Sequence, residues 1–138
     1  MRLQISRRAG FTLVEIMIVV AIIGLLAAIA VPGFIRARKR SQATAVLNDA
    51  RVLDGAKDQY AIENGRTGTS AVQAAMLQPY LKPGSRLYTA AAGTAATVAD
   101  TVGGNYGLGT FDSNVTVDAA TKSSFDTVVD PSTFWGSY

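Results

Sequence analysis

The sequence predicts an α+β protein. One long amino-terminal helix, transmembrane in its first half and amphipathic in its second, packs on a small antiparallel β-sheet head with short helices. Three observations carry this reading. Phe11 to Val31 is an almost unbroken apolar run, and Ala43, Val46, Ala50, Leu53 and Tyr60 then follow three- and four-residue steps. Further on, "NYGLGTFDSNVTVD" holds two short alternating runs about a turn at Asp112-Ser113-Asn114.

The apolar run is about 31 Å long as a helix, enough to cross a hydrocarbon core of about 30 Å. A cleaved secretory signal would use Met1–Arg8 as its basic region and Ala28–Ala30 as its cut site, but the run is longer than such signals need. A plain membrane anchor leaves orientation open, because Arg2, Arg7 and Arg8 before the run face Arg36, Arg38, Lys39 and Arg40 after it. Neither reading gives Glu15 a purpose. A carboxylate inside a membrane helix costs about 2.5–3.5 kcal/mol on insertion scales.

The stretch "GFTLVEIMIVVAIIGLLAAIAVP" resembles the amino terminus of type IV prepilins and of the related type II secretion pseudopilins. The shared features are a short basic leader, Gly10 before the cut, Phe11 as the new amino terminus and Glu15 as its fifth residue. Beyond them the resemblance is one of layout. It implies a leader peptide at 1–10, a transmembrane and filament-core helix at 11–32, an amphipathic continuation at 33–64 and a small α+β head at 65–138. It also implies a prepilin peptidase/N-methyltransferase that cuts after Gly10 and methylates Phe11. The single-pass precursor would sit in inner-membrane lipid with its head in the periplasm. Assembly machinery with an ATPase would then build homo- or hetero-oligomers of pilin subunits into a cell-surface or periplasmic filament. Within it, Glu15 of an incoming subunit would pair with the Phe11 amine of a neighbour, so that a charge costly alone in lipid acquires a partner and sets register.

Within the apolar run, Gly24 and Ala28 form a small-xxx-small pair that permits close approach of helices in lipid. Gly24 and Pro32 also frame a stretch of weak local support, and Pro32 is expected to kink or soften the helix. After it the apolar stripe continues to Tyr60 with Lys57 filling one of its positions, and Asn64-Gly65 is a helix stop. Arg51, Asp54, Asp58 and Glu63 lie off the stripe, and Asp54 and Asp58 read as a solvated charged face rather than a catalytic pair. "RARKR" at Arg36–Arg40 reads first as a solvated segment just outside a bilayer, with lipid phosphate or DNA as possible contacts.

In the head, "SAVQAAMLQPYLKPG" predicts a short helix with a Ser70/Gln73 capping box, ended by Pro79. Thr89–Thr97 has no large side chain and reads as a surface loop or weak edge strand. "GGNYGLG" lacks the Gly-Lys-Ser/Thr order of a phosphate loop and reads as flexible glycines in a strand-and-turn region. Asn114-Val115-Thr116 matches a glycosylation sequon. Residues 119–129 suggest a helix containing Phe125 and Val128, and the aromatics of "PSTFWGSY" are expected to pin the chain's last residues to the core.

Charge and chemistry narrow the function. The net charge of +3 comes from the leader, since the chain after Arg8 carries ten bases and ten acids. No specific nucleic-acid partner follows from it. There is no cysteine and no histidine, which excludes disulfides, thiolate metal sites, thiol nucleophiles and imidazole bases. The expectation is a structural filament subunit with no enzyme activity, no metal and no cofactor. The alternative is a type II secretion pseudopilin, whose major forms carry an Asn-Gly-Arg-Tyr-Pro-Thr segment after the long helix. Here Thr67-Gly68 replaces Tyr-Pro, and that family's calcium-binding loop has no match. The carboxyl-terminal disulfide loop of many type IV pilins is also missing. A DNA-binding uptake pilin would rest on Arg36–Arg40 alone.

Overall fold

The computed structural model describes residues 10–138. The expected leader, with Arg2, Arg7 and Arg8, lies outside them apart from Gly10. The chain divides into two units, Met1–Ala37 and Arg38–Tyr138. Among the described residues the first holds the apolar part of helix α1, which runs Leu13–Asn64 and stays helical through Gly24 and Pro32. Its large side chains from Leu13 to Ile35 are exposed, so this segment has no core of its own.

The second unit contains the rest of α1, then α2 (Ala74–Leu77), a 3₁₀ turn (Gln78–Tyr80), α3 (Arg86–Ala90), β1 (Thr97–Ala99), β2 (Asn105–Gly107), β3 (Thr116–Val117), α4 (Ala119–Ser123) and α5 (Pro131–Phe134). The strands form one antiparallel sheet in the order β1-β2-β3. This is the expected α+β architecture. Val98 pairs with Tyr106, and Tyr106 with Val117, which makes one buried row across the sheet. Thr97, Asn105 and Thr116 beside that row are exposed, as a period of two requires.

From α1 the core receives Ala43, Val46, Leu47, Ala50, Leu53 and Ala56, and Tyr60 packs at its edge. Each fully buried Val or Leu contributes about 1.5–3 kcal/mol, and the stripe on α1 shares one core with the buried row of the sheet. Gly65 ends the helix at φ +58°, and the Arg66 N–H reaches back to the Ala61 carbonyl at 2.9 Å. That is the left-handed cap an Asn-Gly stop provides.

Three expectations change in the head. Ser70 caps nothing; α2 is one turn with Gln73 at its N-cap position and no side-chain cap, while Ala71 bridges Thr110. Pro79 does not stop this segment but lies inside the 3₁₀ turn that continues it, because a proline near a helix start loses no hydrogen bond. The 119–129 helix ends at Ser123, and Phe125 and Val129 are buried from the turns beyond it. The Thr89–Thr97 stretch is mostly irregular and does end in an edge strand, yet Ala91 is fully buried, so the stretch contributes a small residue to the core.

The glycines of "GGNYGLG" are not merely flexible. Asp100 begins the β1–β2 connection, and one of its oxygens accepts from the N–H groups of Val102 at 2.8 Å and Gly104 at 2.9 Å. Its other oxygen accepts from the Thr121 hydroxyl on α4. A Cβ on Gly104 would overlap that hydroxyl, so a side chain is excluded there. Burial alone would raise the Asp100 pKa, but the hydrogen bonds from Thr121 and the loop amides outweigh it and hold the carboxyl below its ordinary value.

The last residues are pinned as expected. Trp135 is 2% exposed, with ring centroids 6.1 Å from Phe125 and 5.0 Å from Phe134.

Candidate functional site

Gly10 and Phe11 precede α1 and are exposed, and a Cβ on Gly10 would meet nothing within 4 Å. Thr12 stands at the helix start. Its side chain accepts the Glu15 N–H at 3.2 Å, and its carbonyl accepts from Ile16 at 3.3 Å. Thr12-x-x-Glu15 is thus the first half of a capping box, a relationship that the Thr-x-x-Glu spacing signals and that the sequence reading overlooked. The cap fixes where the helix starts and places Glu15 in its first turn. The Glu15 side chain is exposed and enters no ion pair among the described residues. Among the described residues, this carboxylate near one end of the apolar helix has no basic partner.

That helix is long and apolar enough to cross a membrane, and none of the apolar window is buried. Gly24 has open space around it, so nothing among the described residues requires a glycine there. In the second unit α1 has two faces of different character. One carries the core stripe. The other carries Ser41, Ala45, Asn48, Val52, Gly55, Gln59 and Ile62 at alternating steps of four and three, all exposed and all uncharged. Gly55 lies mid-helix with nothing within 4 Å of a built Cβ.

Two anchors tie α1 to the rest of the second unit. Lys57 is 2% exposed; its ammonium donates to the carbonyls of Leu108, at 3.4 Å, and Ser113, and stands 3.4 Å from the Asp54 carboxylate. The same Asp54 oxygen accepts the Val115 N–H at 2.7 Å. Asp54 is therefore not on a solvated face: it is a structural group, and the sequence signal was a lysine on the apolar stripe three residues after it. Asp58 and Arg51 remain exposed as expected. The second anchor is Asp49, 2.6 Å from Arg86, whose guanidinium also donates to the Ala99 carbonyl at 2.8 Å. Burial, then the Asp49 charge, pushes the neighbouring Tyr106 phenol well above its ordinary pKa. At the far end of α1, Tyr80 donates to Glu63 at 2.5 Å, and that bond raises the phenol's pKa.

The described residues contain no group of three or more acids suited to hold a metal.

The family model for the prokaryotic N-terminal methylation motif matches residues 5–31. The chain is 36% identical over 85 residues to type II secretion system core protein G of Klebsiella pneumoniae, covering 60% of this chain and 61% of that protein. It is 34% identical over 110 residues to the protein of the same name from Klebsiella michiganensis, covering 78% of this chain and 76% of the relative. To the type IV major pilin protein PilA of Myxococcus xanthus it is 47% identical over 60 residues, covering 44% of this chain and 27% of the pilin. The chain thus spans less than two thirds of the first and third of these relatives. No solved structure matches it.

Proposed function

This chain belongs to the family of type IV pilins and type II secretion pseudopilins, and from that membership we propose that it is a structural subunit of a type IV-like filament. The carrying observation is an apolar helix segment whose large side chains are exposed among the described residues, preceded by Phe11, capped by Thr12 and holding Glu15 in its first turn. It is made as a single-pass precursor in the bacterial inner membrane, with residues 38–138 in the periplasm. A prepilin peptidase/N-methyltransferase cuts after Gly10 and methylates Phe11. Assembly machinery then moves the helix from lipid into a filament, where Glu15 meets the Phe11 amine of a neighbour. No catalytic activity is assigned to the chain, and no nucleic acid.

The processing step is tested by intact-mass analysis of the mature protein. Loss of Met1–Gly10 with one added methyl on Phe11 supports the reading. A mature form starting at Val31 would make the segment a secretory signal instead.

A second reading, a type II secretion pseudopilin, is favoured by the reach of the alignments. The match to the Klebsiella michiganensis protein covers 78% of this chain, against 44% for the Myxococcus pilin. The neighbouring genes discriminate, since a retraction ATPase supports a pilus and an outer-membrane secretion operon supports a pseudopilin.

A further inference from the structure

Arg36, Arg38, Lys39 and Arg40 have no task in the filament reading. Among the described residues none of them enters an ion pair. Along α1 no acid lies between Glu15 and Asp49. Asp49 is about 13 Å beyond Arg40 at 1.5 Å per residue, and its carboxylate already holds Arg86 at 2.6 Å. Arg36 and Arg40 are four residues apart on one helix face, an arrangement in which like charges repel. At 100° per residue Lys39 joins them on that face, while Arg38 points away. The result is a collar of positive charge that its own chain does not neutralise.

Its position along the helix is equally specific. Exposed large apolar side chains run from Leu13 to Ile35. That stretch is about 34 Å long, against a hydrocarbon core of about 30 Å. Arg36 follows Ile35 directly, so a membrane that takes up the segment places the collar at headgroup depth. Residues 41–138 hold nine acids and six bases, and carry no net attraction of their own to an anionic surface.

We propose that Arg36, Arg38, Lys39 and Arg40 form a binding site for the phosphates of anionic phospholipids in the leaflet on the head side, and that this contact retains the subunit before assembly. The proposal rests on the anchored-precursor reading. Guanidinium forks match phosphate oxygens in two parallel hydrogen bonds, and basic segments flanking a membrane helix gain about fivefold in local partitioning per cation. Removal of the leader would take Arg2, Arg7 and Arg8 away, leaving the collar as the dense cation set at a membrane edge.

The test uses the full mature chain in mild detergent with equal amounts of phosphatidylcholine and phosphatidylglycerol, with retained lipids counted by native mass spectrometry. Wild type should retain phosphatidylglycerol over phosphatidylcholine by about fivefold or more. The quadruple change Arg36→Gln, Arg38→Gln, Lys39→Gln, Arg40→Gln should bring the ratio near parity with the circular dichroism melt unchanged. Replacing the three arginines by lysine should keep most of the preference. Parity in wild type, or an unchanged preference in the glutamine variant, overturns the proposal. So does loss of self-association by that variant in phosphatidylcholine alone without any lipid preference in wild type, which would make a second copy's acids the partner. Carbonate extraction separates the two readings. A chain released from membranes removes the anchored precursor and the collar site together, whereas an anchored chain without lipid preference removes the collar site alone.

Discussion

Lys57 and Asp54 stand one helical turn apart on α1, 3.4 Å between ammonium and carboxylate, and together they hold the Leu108–Val115 turn against the helix. A chain with no disulfide and strands of two or three residues relies on such tethers. Replacing Lys57 by Met keeps the volume but strands the Asp54 carboxylate and two carbonyls. Breaking a buried pair from one side costs about 3–5 kcal/mol. We expect Lys57→Met to lower head stability by about 3 kcal/mol in urea unfolding of the detergent-held chain. A loss below about 1 kcal/mol would show that water replaces the ammonium at little cost.

Head stability should fall at acid pH, in part through Asp100. Its folded pKa is held below the ordinary 3.8, so the native state binds fewer protons than the unfolded chain. The stabilisation is complete above the unfolded value and is lost as pH falls through the folded one. Asp100→Asn should flatten that acid limb when urea midpoints are compared between pH 5 and pH 2.5, while lowering stability at pH 7. An acid limb as steep as wild type would assign the effect to other carboxylates, such as Asp130, whose hydrogen bonds from Ser132 also depress it.

Two glycines should respond to alanine in opposite directions. At Gly104 the added Cβ overlaps Thr121 and opens the Asp100 loop, with an expected loss of about 2 kcal/mol. At Gly55 nothing lies within 4 Å and the backbone is helical, so alanine should add about 0.5–1 kcal/mol. If Gly55→Ala nevertheless reduces filament yield, the uncharged outer face of α1 is packed closely by another helix in the assembly. Destabilisation at Gly55 would contradict the open space seen there.

A fragment starting near Arg36 should fold as a soluble monomer, because the stripe from Ala43 to Tyr60 is covered within residues 38–138. A cooperative circular dichroism melt and a monomeric sedimentation profile are the expected results. Aggregation would mean that the apolar segment also supports the head.

Glu15→Val should separate anchoring from assembly. Removing a carboxylate from a lipid-length segment leaves insertion unchanged or easier, and Gly10 and the leader are untouched. Sheared filament should fall sharply relative to the processed membrane pool, since in the proposed assembly each Phe11 amine would lose its partner and the defect would recur at every subunit. Equal filament yield with normal processing would leave Glu15 with its place in the Thr12 cap and nothing more.

Much of this was legible in the residues because its causes are local. Apolar length gives the first half of α1, three-and-four spacing gives the second, and Asn64-Gly65 gives its end. The β2–β3 hairpin follows from alternation about Asp112-Ser113-Asn114, though the observed strands are shorter than the pattern suggests. What escaped was set by contacts distant in sequence. Asp54 could not be assigned without Val115, 61 positions away, nor Gly104 without Thr121. Ser70 satisfied a capping pattern, yet pairing of Ala71 with Thr110 claimed that backbone for a bridge. The missed Thr12 cap is a different case, since its spacing is local and was overshadowed by the apolar run.

The chain's single tryptophan, Trp135, is 2% exposed, and its indole N–H finds no hydrogen-bond partner among the described residues. A buried indole emits toward the blue and shifts red when it becomes exposed to solvent. Trp135 lies in the second unit and the lipid-length segment contains no tryptophan, so this emission reports on the head whatever surrounds the apolar helix. A constant spectrum from membrane to filament would mean that the head is carried through assembly as rigid cargo. A red shift on the way would time the moment at which it opens.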